Sequence, residues 1–228
     1  MAHFEVLDEQ GLQSVRLTLE DESIRAEAGA LSTLRGEIRI ESPLPTPLAW
    51  LRSALSEESV FRPRYTGTGV LELESSVGGF HVLDVADGEG WILEPGSYWA
   101  SEATVELGIH RERAWTSLWA GRGFIDYRTR LRGHGRVALA TSGPIEELTL
   151  ENDRYWAQGP YVIARTEGLA YSLERPTKSF LRSFTTQERL IRGYQGTGRI
   201  LVCSVPYWRY LLATKRLGNA AYGPTALE

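Results

Sequence analysis

The side chains with the most chemical potential are arginines standing just ahead of three Gly-x-Gly pairs. Arg62 and Arg64 precede Gly67-Thr68-Gly69. Arg128, Arg130 and Arg132 precede Gly133-His134-Gly135, and Arg192 precedes Gly196-Thr197-Gly198. A guanidinium presents its donors in a planar fork that fits carboxylates and phosphates. Gathered on one face, these six arginines would hold an anion, an acidic partner or a lipid headgroup. In an extended strand Arg128, Arg130 and Arg132 share a face. The plainer alternative is a solvated stripe paired with Asp and Glu, which contributes little to stability.

The glycine pairs themselves invite a phosphate-binding reading. A nucleotide fingerprint places its glycines between a strand and a helix, and adds a third glycine. Here strand-like residues lie on both sides, as in Val70-Leu71-Glu72-Leu73 and Ile200-Leu201-Val202. The pairs therefore read as structural glycines at bulges or tight turns.

Other chemistries find little support. The histidines are His3, His81, His110 and His134, with no His-x-His or His-x-x-x-His spacing for a metal. No Gly-x-Ser-x-Gly elbow occurs. The carboxylate pairs Glu57-Glu58 and Glu146-Glu147 are adjacent rather than convergent, and read as surface. The single cysteine, Cys203, sits in the apolar run Ile200–Val205, so it reads as a packed thiol, and no intrachain disulfide can form. The expectation is a non-enzyme with no cofactor and no metal.

The elements that position these residues recur three times. An alternating strand, a polar turn and a short strand end at Gly29, Gly96 and Gly159, at intervals of 67 and 63 residues. The first glycines of the Gly-x-Gly pairs, Gly67, Gly133 and Gly196, recur at intervals of 66 and 63. Between the two markers lie apolar connections, 47–55, 111–119 and 177–184, each with a bulky leading residue: Trp50, Trp115 and Phe180. Alternation such as Leu17-Thr18-Leu19 marks sheets with one buried face. Asp21-Glu22, Asp87-Gly88 and Asn152-Asp153 supply turn chemistry. The sequence thus predicts an all-β, pseudo-three-fold sandwich or barrel in one domain, 1–228, with short helical connections. Its repeats run over 14–80, 81–144 and 145–212, with a tail at 213–228.

Composition bounds the rest. The chain has 228 residues, 42% apolar and 24% charged, with a net charge of −4. That balance is globular, and it argues against a dedicated nucleic-acid binder. No stretch approaches the roughly 18 apolar residues of a membrane span, and Met1–Val6 lacks the start of a secretory signal. A cytoplasmic protein with no transmembrane segment is expected.

The segment Ser23-Ile24-Arg25-Ala26-Glu27-Ala28-Gly29-Ala30-Leu31-Ser32, followed by Tyr65-Thr66-Gly67-Thr68-Gly69, resembles the altered-inheritance-of-mitochondria family of domains. The resemblance covers about residues 10 to 212. It implies a compact β fold, double-stranded β-helix or sandwich, grouped with the tryptophan RNA-binding attenuation proteins. It implies no established activity and supplies no catalytic residues. Fold does not fix function. The resulting expectation is a non-catalytic scaffold or binding protein that works through self-assembly, with a trimer as one count, or through a protein partner. The alternative is an anion or small-molecule sensor using the mouth of the β body or the arginine face.

Overall fold

The computed structural model describes residues 1–42, 62–76, 78–112, 126–158, 161–174 and 191–205. Among them the first third of the chain contributes β1 (His3–Glu9), β2 (Leu12–Ala26), β3 (Leu31–Glu41) and β4 (Arg64–Ser76). The middle third contributes β5 (Phe80–Val85), β6 (Trp91–Leu93), β7 (Tyr98–Glu102), β8 (Val105–Glu112), β9 (Asp126–Gly133) and β10 (Gly135–Ala140). The last contributes β11 (Ile145–Gln158), β12 (Val162–Thr166), β13 (Ala170–Glu174) and β14 (Ile191–Cys203).

The strands form two antiparallel seven-stranded sheets. One runs β3-β4-β2-β7-β10-β5 with β1 added on β2. The other runs β11-β14-β12-β6-β9-β8 with β13 added on β14. The alternation read from the sequence is visible in β2, where Val15, Leu17 and Leu19 are buried and their neighbours are not. The turn Gln10-Gly11, both with positive φ, closes the β1–β2 hairpin.

The strands that carry the Gly-x-Gly residues are interior to the sheets. The strand carrying Gly-x-Gly is bonded on both sides: β4 between β2 and β3, β10 between β5 and β7, β9 between β6 and β8, β14 between β11 and β12-β13. Asp21 in β2 and Asn152 in β11 have positive φ at the register breaks opposite Gly67–Gly69 and Gly196–Gly198, and Gly88 has positive φ in the turn between β5 and β6. The middle third is shared out, with β5, β7 and β10 in one sheet and β6, β8 and β9 in the other. Its residues Leu83, Trp91, Tyr98, Val105, Leu131, Val137 and Leu139 pack with Ile163 and Leu201 in one core cluster. Each such fully buried side chain contributes about 1.5–3 kcal/mol. Cys203 lies in this cluster, buried.

The glycines hold two kinds of place. Gly29 (φ +83) and Gly96 (φ +78) turn the chain after the first strand, and Gly159 lies outside the described residues. At Gly67 (φ +137) β3 crosses so closely that a Cβ would sit 2.1 Å from the carbonyl oxygen of Glu37. Gly69, Gly133, Gly135 and Gly198 likewise face a backbone or side-chain atom within 2.6 Å of such a Cβ, whereas at Gly196 only the φ of +127 is demanding.

No helix occurs among the described residues. The connections expected to be helical, 47–55, 111–119 and 177–184, lie outside them, with one correction. Arg111 and Glu112 are the end of β8, held in strand by pairing with Tyr127 and Asp126. The tail at 213–228 also lies outside.

Close backbone approach and positive φ make separable demands. Gly67→Ala is expected to cost more than about 3 kcal/mol, because backbone must move. Gly29→Ala, with open space around it, should cost only the left-handed penalty of about 1–2 kcal/mol. Urea unfolding midpoints of the two variants measure the difference.

Candidate functional site: a buried arginine–glutamate cluster

Strand parity places Arg128, Arg130 and Arg132 on one face of β9, away from Thr129 and Leu131, which are buried. The face is graded: Arg128 is 3% exposed, Arg130 intermediate, and Arg132 exposed. Arg128 lies opposite His110 of β8, and its Nη1 donates to Oε1 of Glu94, which follows β6. Its Nε is 3.8 Å from Oε2 of Glu112 at the end of β8. Arg192, from β14, donates to the same Glu94 oxygen at 2.7 Å. Arg165, from β12, donates to Glu112 at 2.6 Å and to the Leu169 carbonyl at 3.0 Å.

Aromatic rings complete the cluster. The guanidinium carbons of Arg128 and Arg165 stand 5.4 and 5.3 Å from the centre of the Tyr171 ring. Tyr171 packs in turn on Tyr194, with ring centres 5.6 Å apart. Burial pushes both phenols above their ordinary range. Burial, the largest influence, would pull Arg192 down, but Glu94, Tyr171 and Tyr194 together offset it and hold the guanidinium charged above its usual range. The Arg165 Nε and the Tyr194 hydroxyl are buried with no hydrogen-bond partner among the described residues. Among these described side chains three guanidinium groups meet two carboxylates.

The other candidate arginines are dispersed. Arg130 and Arg132 both reach Glu167, at 3.5 and 2.8 Å. Arg62 donates to Glu27 at 3.2 Å and lies 4.4 Å over the Tyr98 ring. Arg64 sits on β4 between Arg25 of β2 and Glu41 of β3. Burial, and then the positive charge of Arg64, hold the Arg25 guanidinium below its usual range. The structure therefore gathers Arg128 and Arg192, leaves Arg130 and Arg132 at the rim, and places Arg62 and Arg64 elsewhere.

Sequence reasoning passed over Glu94, Glu112 and Arg165. Two of them carry a signal, a lone charge after an apolar run: Glu94 after Trp91-Ile92-Leu93, and Arg165 after Val162-Ile163-Ala164; Glu112, among His110, Arg111 and Arg113, carries none. A charge there must be paired or displaced.

Burial separates arginines that look alike in sequence. Arg128→Met leaves two buried carboxylates short of a partner, and should cost about 3–5 kcal/mol. Arg132→Met, at an exposed pair, should cost about 0–1 kcal/mol. Chemical denaturation of both variants checks the contrast.

The family model described as Mitochondrial biogenesis AIM24 matches residues 4–205. The crystal structure of protein SPYM3_0169 from Streptococcus pyogenes is similar in fold, with a TM-score of 0.73 at 19% identity, over 95% of this chain and 100% of that one. No curated protein matches the chain. A match over nearly the whole length, together with this shared all-β fold, shows that the chain belongs to the Mitochondrial biogenesis AIM24 family.

Proposed function

We propose that this protein is a non-catalytic cytoplasmic scaffold that acts by assembling with itself or with a protein partner. We read its thirds as three copies of one unit in a single pseudo-three-fold domain. One observation carries the functional reading: two long strands, β3 and β11, are each paired on one side only among the described residues. They present Leu34, Ile40 and Trp156 to solvent. An unpaired edge with apolar side chains is a template for another chain. Meanwhile five of the six candidate arginines are held by carboxylates of the same fold. The family description names a process and no reaction, which suits an assembling body. No helix among the described residues is long and apolar enough to cross a membrane.

Sedimentation velocity over a wide concentration range tests this reading. The expected result is a mass that rises above the 25.5 kDa of one chain. A 25.5 kDa species at every concentration, with no protein recovered alongside it from cells, would contradict it.

A second reading, an anion-binding sensor, is favoured by the unpartnered Arg165 Nε and Tyr194 hydroxyl inside the arginine cluster. Inorganic phosphate or sulfate should then raise the melting temperature of the protein, and Arg165→Gln should abolish the shift. An unchanged melting temperature with either anion rejects this reading.

A further inference from the structure

The thirds of the chain are joined by a short antiparallel pairing that follows one rule twice. At the first junction Ile24, Arg25 and Ala26 of β2 pair with Glu102, Ser101 and Ala100 of β7. At the second Trp91, Ile92 and Leu93 of β6 pair with Thr166, Arg165 and Ala164 of β12.

Two landmarks define these triplets. Each donating triplet starts opposite the residue two places before a Gly-x-Gly pair: Ile24 faces Tyr65, and Trp91 faces Leu131. Each accepting triplet starts directly after a residue skipped by the register: Trp99 in β7 and Ile163 in β12. A backbone bond closes each junction. The N–H of Glu27 donates to the Trp99 carbonyl at 2.7 Å, and that of Glu94 donates to the Ile163 carbonyl at 2.8 Å.

The same landmarks pick out one triplet of each kind that is not so joined. Tyr155 of β11 faces Tyr194, two places before Gly196, which gives the donating triplet Tyr155-Trp156-Ala157. The register of β3 skips Ser32, which gives the accepting triplet Thr33-Leu34-Arg35. Among the described residues β11 pairs only with β14 and β3 only with β4, and the two strands end different sheets.

We propose that β11 of one copy of this protein pairs antiparallel with β3 of a second copy, under the rule that joins the thirds within each chain. The proposal rests on the self-assembly reading above and specifies its surface. It sets Tyr155 against Arg35, Trp156 against Leu34 and Ala157 against Thr33. Trp156 and Leu34 are 44% and 37% exposed, unusual for large apolar residues, and in this register each covers the other. The Tyr155 ring meets the Arg35 guanidinium. Charge fits as well. At both internal junctions the residue two before the turn glycine is a glutamate holding an arginine five before the Gly-x-Gly pair: Glu27 with Arg62, and Glu94 with Arg128. Each glutamate directly follows its triplet; after the open triplet comes Gln158, which faces Ile191. Docking there buries no carboxylate and needs no arginine. Because the two edges differ, the contact is head to tail, and it closes into a ring or continues as a filament.

The test uses Leu34→Lys and Trp156→Lys in the full chain, with sedimentation of each alone and of their equimolar mixture. Each variant is expected to remain monomeric where the wild type assembles. The mixture should give a two-chain complex, because one variant keeps an intact β11 edge and the other an intact β3 edge. Thermal melts matching the wild type show that both fold; where a lysine variant melts early, Leu34→Thr or Trp156→Thr takes its place. A wild type that assembles while both variants assemble equally well overturns this edge contact and leaves self-assembly standing. Loss of assembly in only one variant, or no recovery on mixing, overturns the head-to-tail pairing. A monomeric wild type overturns this pairing and the self-assembly reading together.

Discussion

Cohesion between the thirds of this chain depends on one repeated contact. A glutamate two residues before a turn glycine donates its backbone N–H to the skipped residue of the next second strand. Its carboxylate holds an arginine five residues before a Gly-x-Gly pair, Arg62 or Arg128. The contact joins backbone pairing, a register irregularity and a partly or fully buried charge. Removing the carboxylate leaves a guanidinium beside an aromatic ring, and removing the arginine leaves a carboxylate in a low-dielectric surrounding. That coupling gives the weakly paired junctions, three residues wide, a single geometry.

A second constraint acts inside each third. The central strand is bonded on both sides and must bend where its neighbours bend. At Gly67 the neighbouring carbonyl comes so close that no side chain fits. The crease lets one continuous strand such as β14 pair with β11 along its length while serving β12 and then β13 on its other side. In the middle third the same crease divides the strand into β9 and β10 and sends them to different sheets. Through that division Trp91 and Leu131 of one sheet share a core with Leu83 and Leu139 of the other.

Much of this was legible in the residues. Alternation in β2 and β4, the turn residues Asp21, Gly88 and Asn152, and the spaced glycines all report local backbone demands, and such demands are written locally. Strand parity also put Arg128, Arg130 and Arg132 on one face. What a single sequence conceals is depth and partnership. Arg128 and Arg132 look alike in sequence, yet one is enclosed by Glu94, Glu112 and Tyr171 and the other stands at the rim. The partners of Arg128 come from positions 94 and 112, and only the sheet order brings them together. Glu94 and Arg165 had a readable signal, a charge beside or within an apolar strand, but its meaning required knowing that β6 and β12 are neighbours. The open triplets on β3 and β11 were hidden for the same reason. An edge is a property of the finished sheet.

In the proposed assembly the junction rule, used twice within the chain, is used a third time between chains. Amide hydrogen exchange across a range of protein concentrations tests it most directly. Head-to-tail pairing requires protection to rise with concentration in Thr33–Arg35 and Tyr155–Ala157 together, while the internal junction at Ile24–Ala26 stays protected throughout. Protection of the two edge segments that is absent or unaffected by concentration, or that rises in one and not the other, would contradict it.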